Sequence, residues 1–255
     1  MTFVDTHVHL HFPDYDPDRD AVIERSRQAG VGLFINVGTD LASSEAALKL
    51  ARRHDFVWGT VGIHPHDAKE ARNEDFPALE RLLHEPKAVA IGEVGLDFFR
   101  NLSPAETQRK LLSRFFDLHR RTKKPLILHI RDAYPEMEEQ VRAELSPPVE
   151  GVLHCFSSEK ETMKRFLDLG FHISFAGPLT YKKNDALRKA FEACPTDRLL
   201  LETDAPFLPP QSKRGTRNES GYLLETAKVG AQVKKVSLEE LGSVTTANAR
   251  RVFKL

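Results

Sequence analysis

The chain is poor in the features that mark most specialised protein classes. It holds only two cysteines, Cys155 and Cys194, in 255 residues, too few and too far apart for a disulfide framework. That scarcity suits a reducing compartment. No charge-free apolar run reaches membrane-spanning length, and Met1 to Leu10 carry neither a basic leader region nor a long apolar one. A cytoplasmic protein without membrane contact is therefore expected. A charge excess is missing too: 37 basic residues balance 37 acidic ones, which argues against a surface that coats duplex nucleic acid. Any attraction for phosphate must be local. Low-complexity tracts and internal linkers are absent, and nothing points to an obligate protein partner. With 40% hydrophobic and 29% charged residues, the length suits one globular domain over residues 1–255.

What the sequence does contain is alternation. Eight short runs rich in Val, Ile, Leu and Phe recur, each followed by a longer segment with helical spacing of apolar residues. They are Phe3 to Val8, Gly32 to Val37, Val57 to Ile63, Ala88 to Gly92, Leu126 to Ile130, Gly151 to Leu153, Phe171 to Phe175 and Leu199 to Glu202. Strands alternating with helices pair in parallel, and eight such units at this length predict a closed (β/α)₈ TIM barrel. One helix is signalled with particular clarity. Ser103 suits the N-cap, Pro104 the first helical position, and Glu106 completes a capping box. Leu111, Phe115 and Leu118 then share one face, with Arg109, Arg114 and Arg121 toward solvent. The segment from Pro206 to Ser220 reads as a long functional loop after the last strand.

Polar residues of metal-binding type gather at the ends of these runs. In Asp5-Thr6-His7-Val8-His9, alternation sends Asp5, His7 and His9 to one face, placing two imidazoles where they can chelate one ion. Glu93 follows the fourth run, His129 ends the fifth, His154 follows the sixth and Asp204 the eighth. A lone strand-end histidine is commonly just hydrogen-bonded, but agreement at five strand ends is hard to assign to chance, because catalytic groups of such barrels come from this face. Four imidazoles and two carboxylates satisfy two divalent ions, with Glu93 placed to bridge them.

Six strings carry a family resemblance: Asp5-Thr6-His7-Val8-His9-Leu10, Gly62-Ile63-His64-Pro65-His66, Gly92-Glu93-Val94-Gly95-Leu96-Asp97, His129-Ile130-Arg131-Asp132-Ala133, His154-Cys155-Phe156-Ser157 and Glu202-Thr203-Asp204-Ala205-Pro206. Together they resemble, in order and across almost the whole chain, the signatures of the TatD family of metal-dependent deoxyribonucleases. The resemblance implies an amidohydrolase-like barrel in which His7, His9, Glu93 and Asp204 hold one ion and Glu93, His129 and His154 the second. It also implies 3′-5′ exonuclease action on single-stranded DNA, with magnesium as an active ion; imidazole-rich ligation by itself favours zinc, manganese or nickel. Two departures stand out, His11 where many relatives have Asp and Ser220 where many have Pro.

Phosphodiester hydrolysis suits such a centre, with Asp204 accepting a proton from the attacking water. Glu202, two residues earlier, is either an alternative base or a buried carboxylate tied to a neighbour. His64 is expected to meet a substrate phosphate or donate a proton. For His66, capping of the next helix through Asp67 is the preferred reading. Arg131 follows His129 by two and should point the same way, toward a phosphate oxygen or into a salt bridge with Asp132. Arg100, Lys182, Lys183, Lys213, Arg214 and Arg217 all follow strands and would form a positive rim, while Phe98, Phe99 and Tyr181 offer stacking faces. His54, His84, His119 and His172 are expected in helices or loops away from the chemistry. Cys155 should face away from His154 as a packed thiol. The alternative function is a metal-dependent amidohydrolase or lactonase acting on a small molecule, since fold and metals do not specify substrate; a non-catalytic metal-binding scaffold fits less well.

Overall fold

The computed structural model describes residues 2–255. Eight parallel strands follow one another in chain order: β1 (Phe3–Val8), β2 (Val31–Asn36), β3 (Val57–Val61), β4 (Ala88–Asp97), β5 (Leu126–Arg131), β6 (Gly151–Leu153), β7 (His172–Phe175) and β8 (Leu199–Leu201). Each connection returns through a helix: α1 (Arg19–Ala29), α2 (Leu41–Arg53), α3 (Phe76–Leu83), α4 (Ala105–Thr122), α5 (Tyr134–Glu144), α6 (Lys160–Asp168) and α7 (Asp185–Ala193), with α8 (Leu223–Lys234) and α9 (Leu238–Phe253) after the last strand. A parallel bridge between Val8 and Ala205 brings β1 to the segment leaving β8. Backbone bonds from His9 N to Ala205 O (2.8 Å) and Asp204 N to His7 O (2.9 Å) seal that seam. This is the TIM barrel expected from the alternation.

Two apolar layers follow from strand periodicity. Val4, Ile35, Val89, Ile127, Val152 and Leu200, from six different strands, cluster with Val252 and Phe253 of α9. Only the barrel interior is common to six strands, so these residues fill it and α9 closes its floor. The other face of each strand packs on the helices: Phe34, Phe115, Phe116, Phe166 and Phe175 are fully buried there, each contributing roughly 1.5–3 kcal/mol by removal from water. Two positions farther along the inward face from Ile127, Val152 and Leu200 lie His129, His154 and Glu202, which places the polar groups above an apolar floor.

Three local expectations are corrected. β4 does not end at Gly92 but runs ten residues to Asp97. Its glycines permit close strand approach: a Cβ at Gly95 would meet the His129 carbonyl at 1.9 Å and one at Gly92 would meet Ile127 at 2.6 Å. Ser103 does not cap α4, which begins at Ala105 behind Pro104 without a capping box. Its hydroxyl instead donates to His66 O (2.7 Å) and accepts from Lys69 N (3.0 Å), tying down another loop. Finally, His172 is not in a loop or helix but opens β7 in a buried position. Among the described residues, no helix is long and apolar enough to cross a membrane.

Candidate metal centre

At the carboxyl ends of the strands the structure brings all six expected ligands together. Glu93 lies at their centre. Its Oε1 is 2.8 Å from His129 Nδ1, 3.0 Å from His154 Nε2 and 3.4 Å from His64 Nε2, while Oε2 lies 3.2 Å from His7 Nε2 and 3.8 Å from His9 Nε2. Asp204 Oδ1 faces the same pair, 3.7 Å from His7 Nε2 and 3.6 Å from His9 Nε2. Glu93 enters this position because the β4–β5 register shifts between Ile91 and Val94. Asp204 leaves β8 with φ +56°, a left-handed backbone that aspartate tolerates better than most residues and that often marks functional sites.

The donor set fits divalent cations because of what holds the far side of three of the four rings. His9 Nδ1 lies 2.8 Å from the Val37 carbonyl and so carries its hydrogen there, His154 Nδ1 faces Glu202 (3.0 Å), and His129 Nε2 faces Asp97 (3.1 Å). Where those three rings are neutral, the lone pairs of their opposite nitrogens point inward: His129 Nδ1 and His154 Nε2 are 3.4 Å apart, and His9 Nε2 lies 3.3 Å from Nε2 of His7, whose own Nδ1 is buried without a partner. Lone pairs converging at that spacing repel unless a proton or a cation sits between them, and a carboxylate or carbonyl behind a histidine is the usual support of a metal ligand. Burial works to raise the carboxyl pKa of Glu93, but the imidazoles of His154, His64 and His7 overcome it and hold the group well below the usual range. Asp204 is lowered in the same way against burial, by His9, His154 and His7.

Other expected residues divide. Glu202 is fully buried behind His154 and accepts from Cys155 N (2.6 Å), so it holds that corner instead of meeting substrate. Asp5 does not join His7 and His9. The β1 register shifts between Asp5 and Val8, and the Asp5 carboxylate accepts from Thr203 N (2.9 Å), Thr203 Oγ1 (2.6 Å) and Ser220 Oγ (2.6 Å). Ser220 thus uses its hydroxyl where a proline would have none. His11 is likewise held, between Asn36 Oδ1 (3.0 Å) and Ser43 Oγ (2.7 Å). His64 caps a short 3₁₀ turn, its Nδ1 accepting from His66 N, and burial lowers its pKa to about 4. A group so neutral at physiological pH is a poor proton donor.

His66 is not the cap that was preferred; its Nε2 lies 2.7 Å from Asp97 Oδ2. Cys155 leaves the strand with φ +45°, so alternation no longer governs it, and it lines the cavity in place of packing behind it. Burial, then Asp204, Glu202 and Glu93, keep its thiol protonated.

Above the cluster opens a cavity of about 550 Å³ whose upper wall includes Phe12, Arg100, Arg131, Phe207 and Leu208. Arg131 lies 3.9 Å over the Phe99 ring. The basic rim is not assembled as expected. Lys182, Lys183, Lys213, Arg214 and Arg217 do not line the cavity; Arg217 is spent on Asp18 Oδ2 (2.8 Å) and Asp14 O (2.6 Å). Tyr181 ties loops together through Pro209 O, and Phe98 packs partly buried on the core, leaving Phe99 exposed. Sequence reasoning missed Phe12, Phe207 and Leu208. It also passed over Asp97, although period two from Glu93 reaches it once β4 is known to continue.

Comparison with known proteins now decides the family. The family described as TatD related DNase matches residues 4–254. The chain belongs to the TatD family. It is 36% identical over 251 residues to the uncharacterized metal-dependent hydrolase YabD of Bacillus subtilis strain 168, covering 98% of each chain. It is 37% identical over 257 residues to a protein of Erwinia tasmaniensis named 3′-5′ ssDNA/RNA exonuclease TatD, covering 98% of this chain and 99% of that one. The crystal structure of YJJV, a TatD homolog from Escherichia coli K12, superimposes with a TM-score of 0.94 at 30% identity, covering 99% and 98% of the two chains. This TatD-family chain is accordingly a metal-dependent hydrolase of ester bonds, and the small-molecule amidohydrolase or lactonase alternative is not favoured.

Proposed function

We propose that this chain binds two divalent cations, one on each side of Glu93, and removes nucleotides from the 3′ end of single-stranded DNA or RNA. His7, His9 and Asp204 with Glu93 Oε2 would hold the first, and His129 and His154 with Glu93 Oε1 the second. The observation that carries this reading is that split of imidazoles between the two oxygens of one carboxylate. Magnesium, manganese and zinc are the ions to compare, imidazole donors favouring zinc on affinity. Such a pair, when bound, polarises a phosphoryl oxygen and lowers the pKa of a water.

The chain's own residues supply the rest. The Asp204 carboxylate accepts the proton of the attacking water; its low pKa sets an ionised acceptor at neutral pH. The Arg131 guanidinium, braced on Phe99, receives a non-bridging phosphate oxygen. His64, neutral, donates only a hydrogen bond. Phe12 and Phe207 take the faces of the terminal bases, a contact every base can make. A cavity of about 550 Å³ suits a nucleotide and not an intact duplex, which supports a single-stranded end as substrate. Two unpaired cysteines suit action in the cytoplasm.

The experiment reconstitutes metal-stripped protein with each ion and supplies 3′- and 5′-labelled single strands, a duplex and a lactone. Stepwise loss of 3′ nucleotides from single strands, abolished in Asp204→Asn while the fold persists, is expected. Turnover of the lactone alone, or full activity in Asp204→Asn, would overturn the proposal.

A further inference from the structure

We propose that Asp97 is the positioning residue that turns His129 so that its Nδ1 faces Glu93, with the same carboxylate oxygen fixing His66. The inference deepens the two-cation reading of the site and rests on it.

Asp97 is the last residue of β4 and fully buried. Its place is set by neighbours rather than by its own side chain. Gln108 of α4 clamps its backbone, accepting from Asp97 N (2.8 Å) and donating to Asp97 O (3.0 Å) and Ser103 O (2.7 Å). The β4–β5 pairing sets Gly95 beside His129 and Asp97 beside Arg131, so the carboxylate stands next to the far edge of the His129 ring. Three N–H donors converge on it: Arg100 N on Oδ1 (2.7 Å), and His66 Nε2 (2.7 Å) and His129 Nε2 (3.1 Å) on Oδ2. With its hydrogen on Nε2 committed to Asp97, a neutral His129 ring would turn its Nδ1 lone pair to a cation seated beside Glu93 Oε1, which lies 2.8 Å from that nitrogen.

That set of donors is what makes the residue type matter. An asparagine placed to accept at Oδ2 would turn its NH₂ against Arg100 N–H; flipped, it would turn the NH₂ against both imidazoles. Either way a part-buried donor loses its acceptor and faces an NH₂ instead, which costs more than the bond itself. Glu202 supports His154 from behind in the same manner, so both imidazoles proposed to hold the second cation have a carboxylate at the far nitrogen.

The test measures zinc binding to metal-free protein by calorimetry and, in the zinc-loaded full chain labelled with ¹⁵N-histidine, the exchange-protected Nε2–H resonance of His129. Wild type should show that resonance and two binding events. Asp97→Asn should lose the resonance and weaken one binding event by about 10- to 100-fold, leaving the His7/His9/Asp204 event unchanged. His66→Ala, which removes only the other imidazole, should keep both. Unchanged affinities in Asp97→Asn would overturn the proposal. Should that variant not fold, the wild-type resonance decides alone: a His129 ring in zinc-loaded protein whose hydrogen is on Nδ1, or whose Nε2–H exchanges freely, refutes it. Zinc binding confined to one site in wild type would overturn this inference together with the two-cation reading.

Discussion

Glu202 sits directly behind His154, its Oε1 3.0 Å from the imidazole Nδ1 and 2.6 Å from the amide nitrogen of Cys155. The carboxylate is fully buried, with the imidazole between it and the centre of the site. Its work is therefore to fix the ring. Glu202→Gln should weaken cation binding about 10- to 100-fold, and excess metal should restore most of kcat. A direct proton acceptor would behave differently: its loss would persist at saturating metal and would alter the pH profile of kcat.

Phe207 is 50% exposed at the mouth of the cavity and adjoins the exposed Leu208, an apolar pair facing the space a substrate would enter. Stacking of a base contributes about 1–3 kcal/mol. Phe207→Ala should raise KM for oligonucleotides by about five- to 150-fold with little change in kcat. Steady-state kinetics on single strands checks it, and an unaltered KM removes the ring from substrate binding.

Arg131 and Arg217 were equivalent candidates in the sequence, but the structure separates them. Arg131 lines the cavity, whereas Arg217, together with Arg25, holds the Asp18 carboxyl at a pKa of about 2. Arg131→Ala should raise KM and reduce its dependence on salt; Arg217→Ala should leave KM alone and lower Tm by roughly a few degrees. Kinetics at two ionic strengths, with thermal melts, distinguishes the two roles.

His172 at the foot of β7 supplies a pH test away from the candidate metal centre. Burial, then Arg198 and Arg251, lowers its pKa to about 4 from an ordinary 6.5. Between those values the unfolded chain binds a proton that the folded chain refuses, so stability is full above pH 6.5 and declines as pH falls toward 4. The loss is on the order of 1–3 kcal/mol. His172→Leu should flatten this slope in chelator-treated protein followed by thermal unfolding. His11 and His64, lowered to about 4 as well, preserve part of it.

The barrel was legible because its strands are runs of Val, Ile and Leu whose spacing survives in the sequence, and the candidate ligands because they terminate those runs. What escaped reading lies where alternation breaks. Asp5 was placed beside His7 by period two, yet a register shift within β1 sends it to Thr203 and Ser220. Asp97 was hidden because Gly92 and Gly95 resemble a turn when they in fact let β4 continue against β5. Cys155 escaped because a left-handed backbone has no strand parity. The basic residues after β8 were read by composition, which cannot tell that Arg217 already has partners in the loop before α1.

The seam where Val8 meets Ala205 has a consequence for synthesis. His7 and His9 leave the ribosome about 195 residues ahead of Asp204. A nascent chain can therefore gather imidazoles on β1, yet the proposed cradle on that side is incomplete until β1 and the segment after β8 are zipped together. Hydrolytic competence is in this way withheld from every product that stops short of Asp204, and such a truncated copy should be inert instead of merely slow.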